Sequence, residues 1–415
     1  MLEKYFSAPK TLARLRAGLS GSHIDGFADA LEQNGYSHGS ALRYLRAAAH
    51  LGQFQQRRHK TLADIDANTL DDFRRHLQRC RCRRSNGGRV NHHGFFGAKR
   101  FRIYLFQTGV CERDLTAPVS NTEPALITSF RDWFRKHRGA AEPTLRHYCR
   151  NATGMLNILG EDLSEWNAQR IRTFLLDRAN QCGAATVEHW VTAMRAFLRY
   201  LSFRGLCPND LDQAVPRLAH WRLATLPPSL TTEEVDRLIA ACDGCSTRCL
   251  RDRAIILLLV RLGLRAGDVV RLRVADIEWE SGTLRVLGKS RYEVRLPLPQ
   301  DVGDAVLRYL ECRPGVHPTD HVFVRNIAPF RPSVSNDCVS GIVKRALRRA
   351  EIVTTVKGAH LLRHTAATEM LRHGVPLDQI GLVLRHRGID TTARYAKVDV
   401  RLLKQIAQPW PEVKS

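Results

Sequence analysis

Four short stretches in the last part of this 415-residue chain carry polar side chains where helix packing alone would not ask for them. In RLGLRAGDVVRLRVADI, Leu262, Leu264, Val269 and Leu272 form an apolar set, and Arg265 sits just after Gly263, close to a helix start. A cation at a helix N-terminus is electrostatically out of place unless an anion binds there. Lys289 projects from the turn Gly288-Lys289-Ser290, between alternating apolar and polar residues that read as a hairpin. In GAHLLRHTAATEML, His360 and Arg363 lie at i and i+3 on one helical face. In VLRHRGIDTTARYAKV, His386 is followed nine residues later by Tyr395. A phenol is a poor nucleophile, with an unperturbed pKa of about 10. Its attack on a phosphodiester becomes feasible when cations surround the phosphorus and share the developing charge. Arg265 and Arg363 suit that task, because each guanidinium can fork onto two non-bridging oxygens. Tyr395 is the expected phenol; Tyr292, its rival, reads as a strand residue.

Taken in order, Arg265, Lys289, His360-x-x-Arg363, His386 and Tyr395 closely resemble the catalytic set of the tyrosine recombinase (phage integrase) family. The flanking text GLR, GK and HLLRHTAAT matches as well, and the likeness runs from about Leu257 through Tyr395. The resemblance implies a Xer-like integrase of a mobile element. Tyr395 would be the nucleophile that forms a 3′-phosphotyrosyl bond, and Lys289 the general acid for the 5′-oxygen leaving group. His360 would handle the tyrosine proton, and His386 would donate a hydrogen bond to the phosphate. The linkage stores the energy of the broken bond, so no cofactor, ATP or metal is expected. His364 is expected to be structural or to support the reacting groups from behind, because only His360 has the three-residue spacing to Arg363. The chain departs from the family at two places. Asp268 stands where Glu is usual, one methylene shorter in reach, and Arg385 stands where Gly is usual and adds a positive charge.

The rest of the chain must position this set and bring it to a partner. Lys plus Arg number 64 against 41 Asp plus Glu, a formal net charge of +23, while hydrophobic residues make up 44%. That is enough apolar material for several cores, which excludes wholesale disorder. The charge predicts attraction to a polyanion, nucleic acid by default, and the resemblance implies double-stranded DNA as the partner. An anionic membrane is disfavoured: the longest apolar stretch, from Ala254 to Val260, ends at Arg261, far short of a span. The opening MLEKYFSAPK has no apolar signal region, and eleven cysteines, an odd number, fit reduced thiols. A cytoplasmic protein is expected.

Self-similarity organises the front half. Ile24, Phe27 and Leu31 recur as Ile127, Phe130 and Phe134; Leu62, Ile65, Leu70 and Phe73 recur as Leu163, Trp166, Ile171 and Phe174. Phe101, Tyr104, Leu105, Gly109 and Cys111 recur as Phe197, Tyr200, Leu201, Gly205 and Cys207. The spacing within each block is helical, so each copy reads as about four short helices. Pro227 and Pro228 break the chain before Leu230-Thr231-x-x-Glu234-Val235, a capping box with a hydrophobic staple. The expected division is 1–118, 119–222 and 223–415. The expected fold class is mainly α with a small β-sheet or hairpin in the C-terminal domain. With the resemblance, this becomes two tandem SAM-like four-helix DNA-binding bundles followed by a mixed α/β catalytic domain, the second copy looking like the core-binding domain.

Beyond Tyr395, Val400, Leu403 and Ile406 mark a short amphipathic helix. In the family such a tail often docks on a neighbouring subunit, which implies a homo-tetramer on DNA, a monomer or dimer when free, and accessory recombinase or DNA-bending partners; from the sequence alone the helix could equally pack in cis. A type IB topoisomerase and a non-catalytic DNA-binding protein of the same fold are the alternative readings. His76, Cys80, Cys82 and His92 are the residues that would hold zinc, although the C-x-C spacing is poor for chelation and the surrounding basic loop RCRCRRSNGGRVNHHG reads equally as a DNA-contacting arm.

Overall fold

The computed structural model describes residues 2–80, 92–111, 124–216, 227–287, 293–314, 320–333, 335–386, 388–393 and 395–396. Lys289, Tyr292, Cys82, the side chain of His92 and the tail helix expected at Val400, Leu403 and Ile406 lie outside the described residues. The chain divides into two compact units, residues 116–221 and residues 1–115 with 222–415.

In the front part a short helix, α1 (Pro9–Ala17), precedes α2 (Gly21–Gln33), α3 (His38–Arg57), α4 (Ala67–Arg79) and α5 (His92–Gln107). Ile24, Phe27 and Leu31 form the buried face of α2, and Leu70 and Phe73 that of α4, as their spacing requires. Residues 116–221 repeat the plan with α6 (Ala125–Arg138), α7 (Glu142–Leu159), α8 (Ala168–Gln181) and α9 (Ala184–Phe203).

The repeat extends to the packing of single rings. Phe27 meets Phe101 edge-on at 5.1 Å and 60°, and Phe130 meets Phe197 at 5.1 Å and 67°. Phe27 and Tyr104 lie at 5.4 Å and 45°, Phe130 and Tyr200 at 5.4 Å and 48°. Phe101 and Tyr104 stack at 6.3 Å and 19°, Phe197 and Tyr200 at 6.3 Å and 20°. Helix starts agree too: Asp66 accepts from the Thr69 N–H at 2.7 Å, and Asn167, the equivalent residue, from the Arg170 N–H at 3.0 Å. Gly109 and Gly205, with φ of +78° and +65°, both take the left-handed conformation that ends the last helix of their copy.

The last part opens with the expected cap. Thr231 and Glu234 exchange side-chain to backbone hydrogen bonds at the start of α10 (Thr232–Ala240), with Leu230 and Val235 both buried. There follow α11 (Thr247–Leu262), α12 (Ala266–Arg271), strands β1 (Ile277–Glu278), β2 (Thr283–Leu287) and β3 (Glu293–Pro297), then α13 (Gln300–Cys312), α14 (Asn336–Arg349), α15 (Ala359–Arg372), α16 (Leu377–Val383) and α17 (Ile389–Ala393). The sheet is antiparallel in the order β1-β2-β3, with Leu284 opposite Leu296 and Val286 opposite Val294. From Ala254 to Val260 every residue of α11 is buried, which is what a helix packed against both α13 and α15 requires. A smaller apolar cluster of Ala367, Leu371, Ile380, Leu384 and Tyr395 joins α15 to α16 and the residues after α17. The described chain is thus mostly helical with one small sheet. Among the described residues no helix is long and apolar enough to cross a membrane.

Candidate active site

The site is built where the end of α11, the start of α12, α15 and the end of α16 meet. Gly263 caps α11 at φ +57°, and a Cβ there would come within 2.6 Å of Leu384, so the turn demands glycine. The chain then leads Arg265 into the N-cap position of α12, where its own N–H donates to Asp268 Oδ2 at 3.0 Å. Arg265 Nη2 reaches across to donate to the carbonyl of Arg385 at 2.8 Å. Arg363, buried on α15, donates through Nη1 to the Gly263 carbonyl at 2.6 Å and through Nη2 to the Leu384 carbonyl. Two guanidiniums therefore tie the α11–α12 turn to the α16 end, and each is oriented by a backbone carbonyl of the same loop.

Cations are crowded here. Desolvation, and then the charges of Arg265 and Arg385, pull the Arg363 pKa down to about 9, against smaller opposing effects from Tyr395 and Asp268. Arg385 lies in the left-handed region at φ +55°, and its Nη2 is 2.6 Å from Asp268 Oδ2, both side chains being almost wholly buried. Arg271 reaches the other oxygen of Asp268 at 3.1 Å. After α17, Tyr395 is 1% exposed, and its hydroxyl lies 2.7 Å from His364 Nδ1. His386 lies parallel to the Tyr395 ring at 6.5 Å and 2°, with Nδ1 2.7 Å from Thr392 Oγ1. His360 is exposed, one turn before His364, and meets that ring edge-on at 4.3 Å. An anion drawn to such a cluster would meet several cations at a dielectric lower than that of water.

The model of the phage integrase family matches residues 228–401, the stretch that contains all of these groups. "Putative integrase/recombinase y4rA" of Sinorhizobium fredii is 41% identical over 251 residues, which cover 60% of this chain and only 61% of that relative. A second protein of that organism, y4rF, named in the same way, is 30% identical over 420 residues, 99% of this chain and 96% of the relative. The chain belongs to the phage integrase family of tyrosine recombinases. A crystal structure of a lambda integrase dimer bound to a COC′ core site shares the fold, with a TM-score of 0.53 and 18% identity over 77% of this chain and 89% of the other.

In this recombinase the structure brings Arg265, Arg363, His386 and Tyr395 to one place and leaves His360 at the exposed edge. The spacing to Arg363 points to His360 as the histidine at the tyrosine. In the structure the ring that touches the hydroxyl is His364, with His360 packed behind it. The i, i+4 relation of the two histidines was the available signal, since both then lie on one side of α15. The polar neighbours of Tyr395 in sequence suggest an exposed ring; α17 instead folds it beneath α15 and α16, against Leu371, Ile380 and Leu384. The Arg385–Asp268 pair could not be read from the sequence, because 117 residues separate its members.

Proposed function

We propose that this recombinase cleaves and rejoins double-stranded DNA at specific sites through a 3′-phosphotyrosyl intermediate, and serves the integration, excision or rearrangement of a mobile element. The observation that carries the reading is that Arg265 and Arg363 anchor on adjacent carbonyls, Arg385 O and Leu384 O, on the loop that continues into His386 and, after α17, Tyr395. Arg265 and Arg363 grip the non-bridging oxygens of the scissile phosphate. The Tyr395 oxygen, released from His364, attacks phosphorus; the phosphorus–5′-oxygen bond breaks and the leaving oxygen takes a proton from Lys289. His386 donates a hydrogen bond to the phosphate, and His360 with His364 takes up the phenolic proton. Attack by another 5′-hydroxyl reverses each step, so the bond count is conserved and no fuel is consumed.

In the same proposal the chain folds as three domains, 1–118, 119–222 and 223–415. The two helical copies and the catalytic domain bind the duplex chiefly through phosphates, as the +23 charge favours. Four copies assemble on DNA in the cytoplasm, joined by the residues beyond Tyr395. The test uses nicked suicide duplexes cut from the DNA that flanks the gene. A covalent protein–DNA adduct forms with the unaltered chain and is lost in Tyr395→Phe while duplex binding is retained. Adduct formation by Tyr395→Phe would overturn the assignment.

A further inference from the structure

We propose that the front helical copy holds a zinc-class divalent metal ion on His50, His76 and Cys80. His50 lies in the middle of α3, His76 in the last turn of α4, and Cys80 is the residue that caps α4. Their candidate ligand atoms all lie within 4.8 Å of one another. His50 Nε2 is 3.1 Å from His76 Nε2, and Cys80 Sγ is 3.5 Å from His50 Nε2. Metal–nitrogen bonds of about 2.05 Å and a metal–sulfur bond of about 2.3 Å at tetrahedral angles put nitrogen about 3.3 Å from nitrogen and about 3.6 Å from sulfur. The two separations that involve His50 therefore match a tetrahedral site closely, and the His76 and Cys80 ligand atoms lie within 4.8 Å of each other.

The surroundings fit the same use. Phe73 packs edge-on against the His50 ring at 5.3 Å, and Phe54 and Phe73 lie at 5.1 and 6.0 Å from the His76 ring, so both imidazoles are held in place by an apolar shell. Burial disfavours the charged form of both rings: desolvation, then His76 and Arg57, push the His50 pKa down to about 4, and desolvation and Arg57 also lower that of His76. Two imidazoles and one thiolate are a borderline-soft set that selects zinc over magnesium or calcium. His76 and Cys80 come from the group that the sequence singles out. His50, 26 residues upstream, is added by the packing of α3 on α4. Cys82 and the His92 side chain lie outside the described residues, and the proposal rests on the other three. Cys242, Cys245 and Cys249, which also lie close together in sequence, do not converge in this way among the described residues. An ion here would tie the last turn of α4 to α3.

The experiment takes the purified full chain, stripped with a chelator, and adds Zn2+ alone, then Co2+ alone as a spectroscopic probe. One equivalent of zinc should bind tightly per chain. Cobalt should show tetrahedral ligand-field bands and a thiolate-to-cobalt charge-transfer band. Cys80→Ser should abolish the charge-transfer band, and both Cys80→Ser and His76→Gln should weaken zinc binding by about 100-fold or more. Cys245→Ser, which alters an exposed thiol elsewhere, should change neither readout. The proposal fails if the unaltered chain binds no stoichiometric zinc, if its cobalt form lacks the thiolate band, or if binding survives both Cys80→Ser and His76→Gln unchanged. The first two outcomes need no variant to fold, and none of them depends on recombination.

Discussion

Asp268 Oδ2 and Arg385 Nη2 lie 2.6 Å apart, joining the first turn of α12 to the loop after α16 with both side chains buried. Asp268 does more than neutralise Arg385. It also receives the Arg265 backbone N–H at 3.0 Å and the Arg271 side chain at 3.1 Å, so one carboxylate organises three arginines of the site. Arg385, by contrast, has Nε and Nη1 buried without a hydrogen-bond partner among the described residues, and occupies a φ of +55° that glycine tolerates better. Removing either residue should therefore have unequal effects. Asp268→Ala strands a buried guanidinium and should destabilise the catalytic part by about 3–5 kcal/mol. Arg385→Gly relieves the backbone and leaves Asp268 with two donors, so its cost should stay at about 1 kcal/mol. Thermal unfolding of the two variants decides this; equal losses would refute the asymmetry.

The His364–Tyr395 hydrogen bond should be measurable as a coupling energy. A buried hydroxyl or ring nitrogen that loses its partner costs about 1–3 kcal/mol. Tyr395→Phe and His364→Phe should each lower the local opening free energy of α15 by that amount, read by amide hydrogen exchange. The double variant should cost less than the sum by about 1 kcal/mol. His360→Ala, at an exposed position, should cost less than either. Strict additivity would show that the 2.7 Å contact carries no energy.

Much of this site was legible because its members lie in short, ordered stretches. Arg265 is marked by its place after a helix-ending glycine, and His360 and Arg363 by an i, i+3 step that only a helix gives meaning. The duplicated front half was legible for the same reason: Phe27 and Phe130, with their partners on the fourth helix, recur at helical spacing. What escaped the sequence is long-range. His364 meets Tyr395 across 31 residues, Asp268 meets Arg385 across 117, and His50 meets His76 across 26. Periodicity reports which face a residue occupies, not which helix will cover it.

Arg363 should give the reaction an alkaline limb. In the folded chain its pKa is lowered to about 9 from the ordinary guanidinium range, chiefly by burial and then by Arg265 and Arg385. Between the two the unfolded chain keeps a proton that the folded chain has shed, so this group makes stability rise with pH across that window and penalises folding below it. Function runs the other way, since the neutral form loses its pull on phosphate. The second-order rate of adduct formation, which reports the free protein, should fall above about pH 9. At saturating DNA the limb should move to higher pH, because a bound phosphate restores the proton. Arg363→Lys, which cannot fork between the Gly263 and Leu384 carbonyls, should lower adduct formation by about 100-fold or more while leaving duplex affinity nearly unchanged. An unchanged limb at saturation would separate it from Arg363.

The matched ring contacts of the two helical copies lead to a test of their equivalence. Phe27 and Phe130 are both essentially buried, and each touches a phenylalanine at 5.1 Å and a tyrosine at 5.4 Å. Truncation to alanine empties the same space in each core, at a cost of about 3–5 kcal/mol. The cores are separate clusters, so the damage should stay local. Hydrogen exchange should show Phe27→Ala opening α2 to α5 while α6 to α9 keep their protection, and Phe130→Ala should show the reverse. The losses in opening free energy should agree within about 1 kcal/mol, because distant sites without shared partners act independently. If Phe27→Ala also stripped protection from α6 to α9, the copies would be one cooperative core and the repeat would not consist of two independently packed bundles.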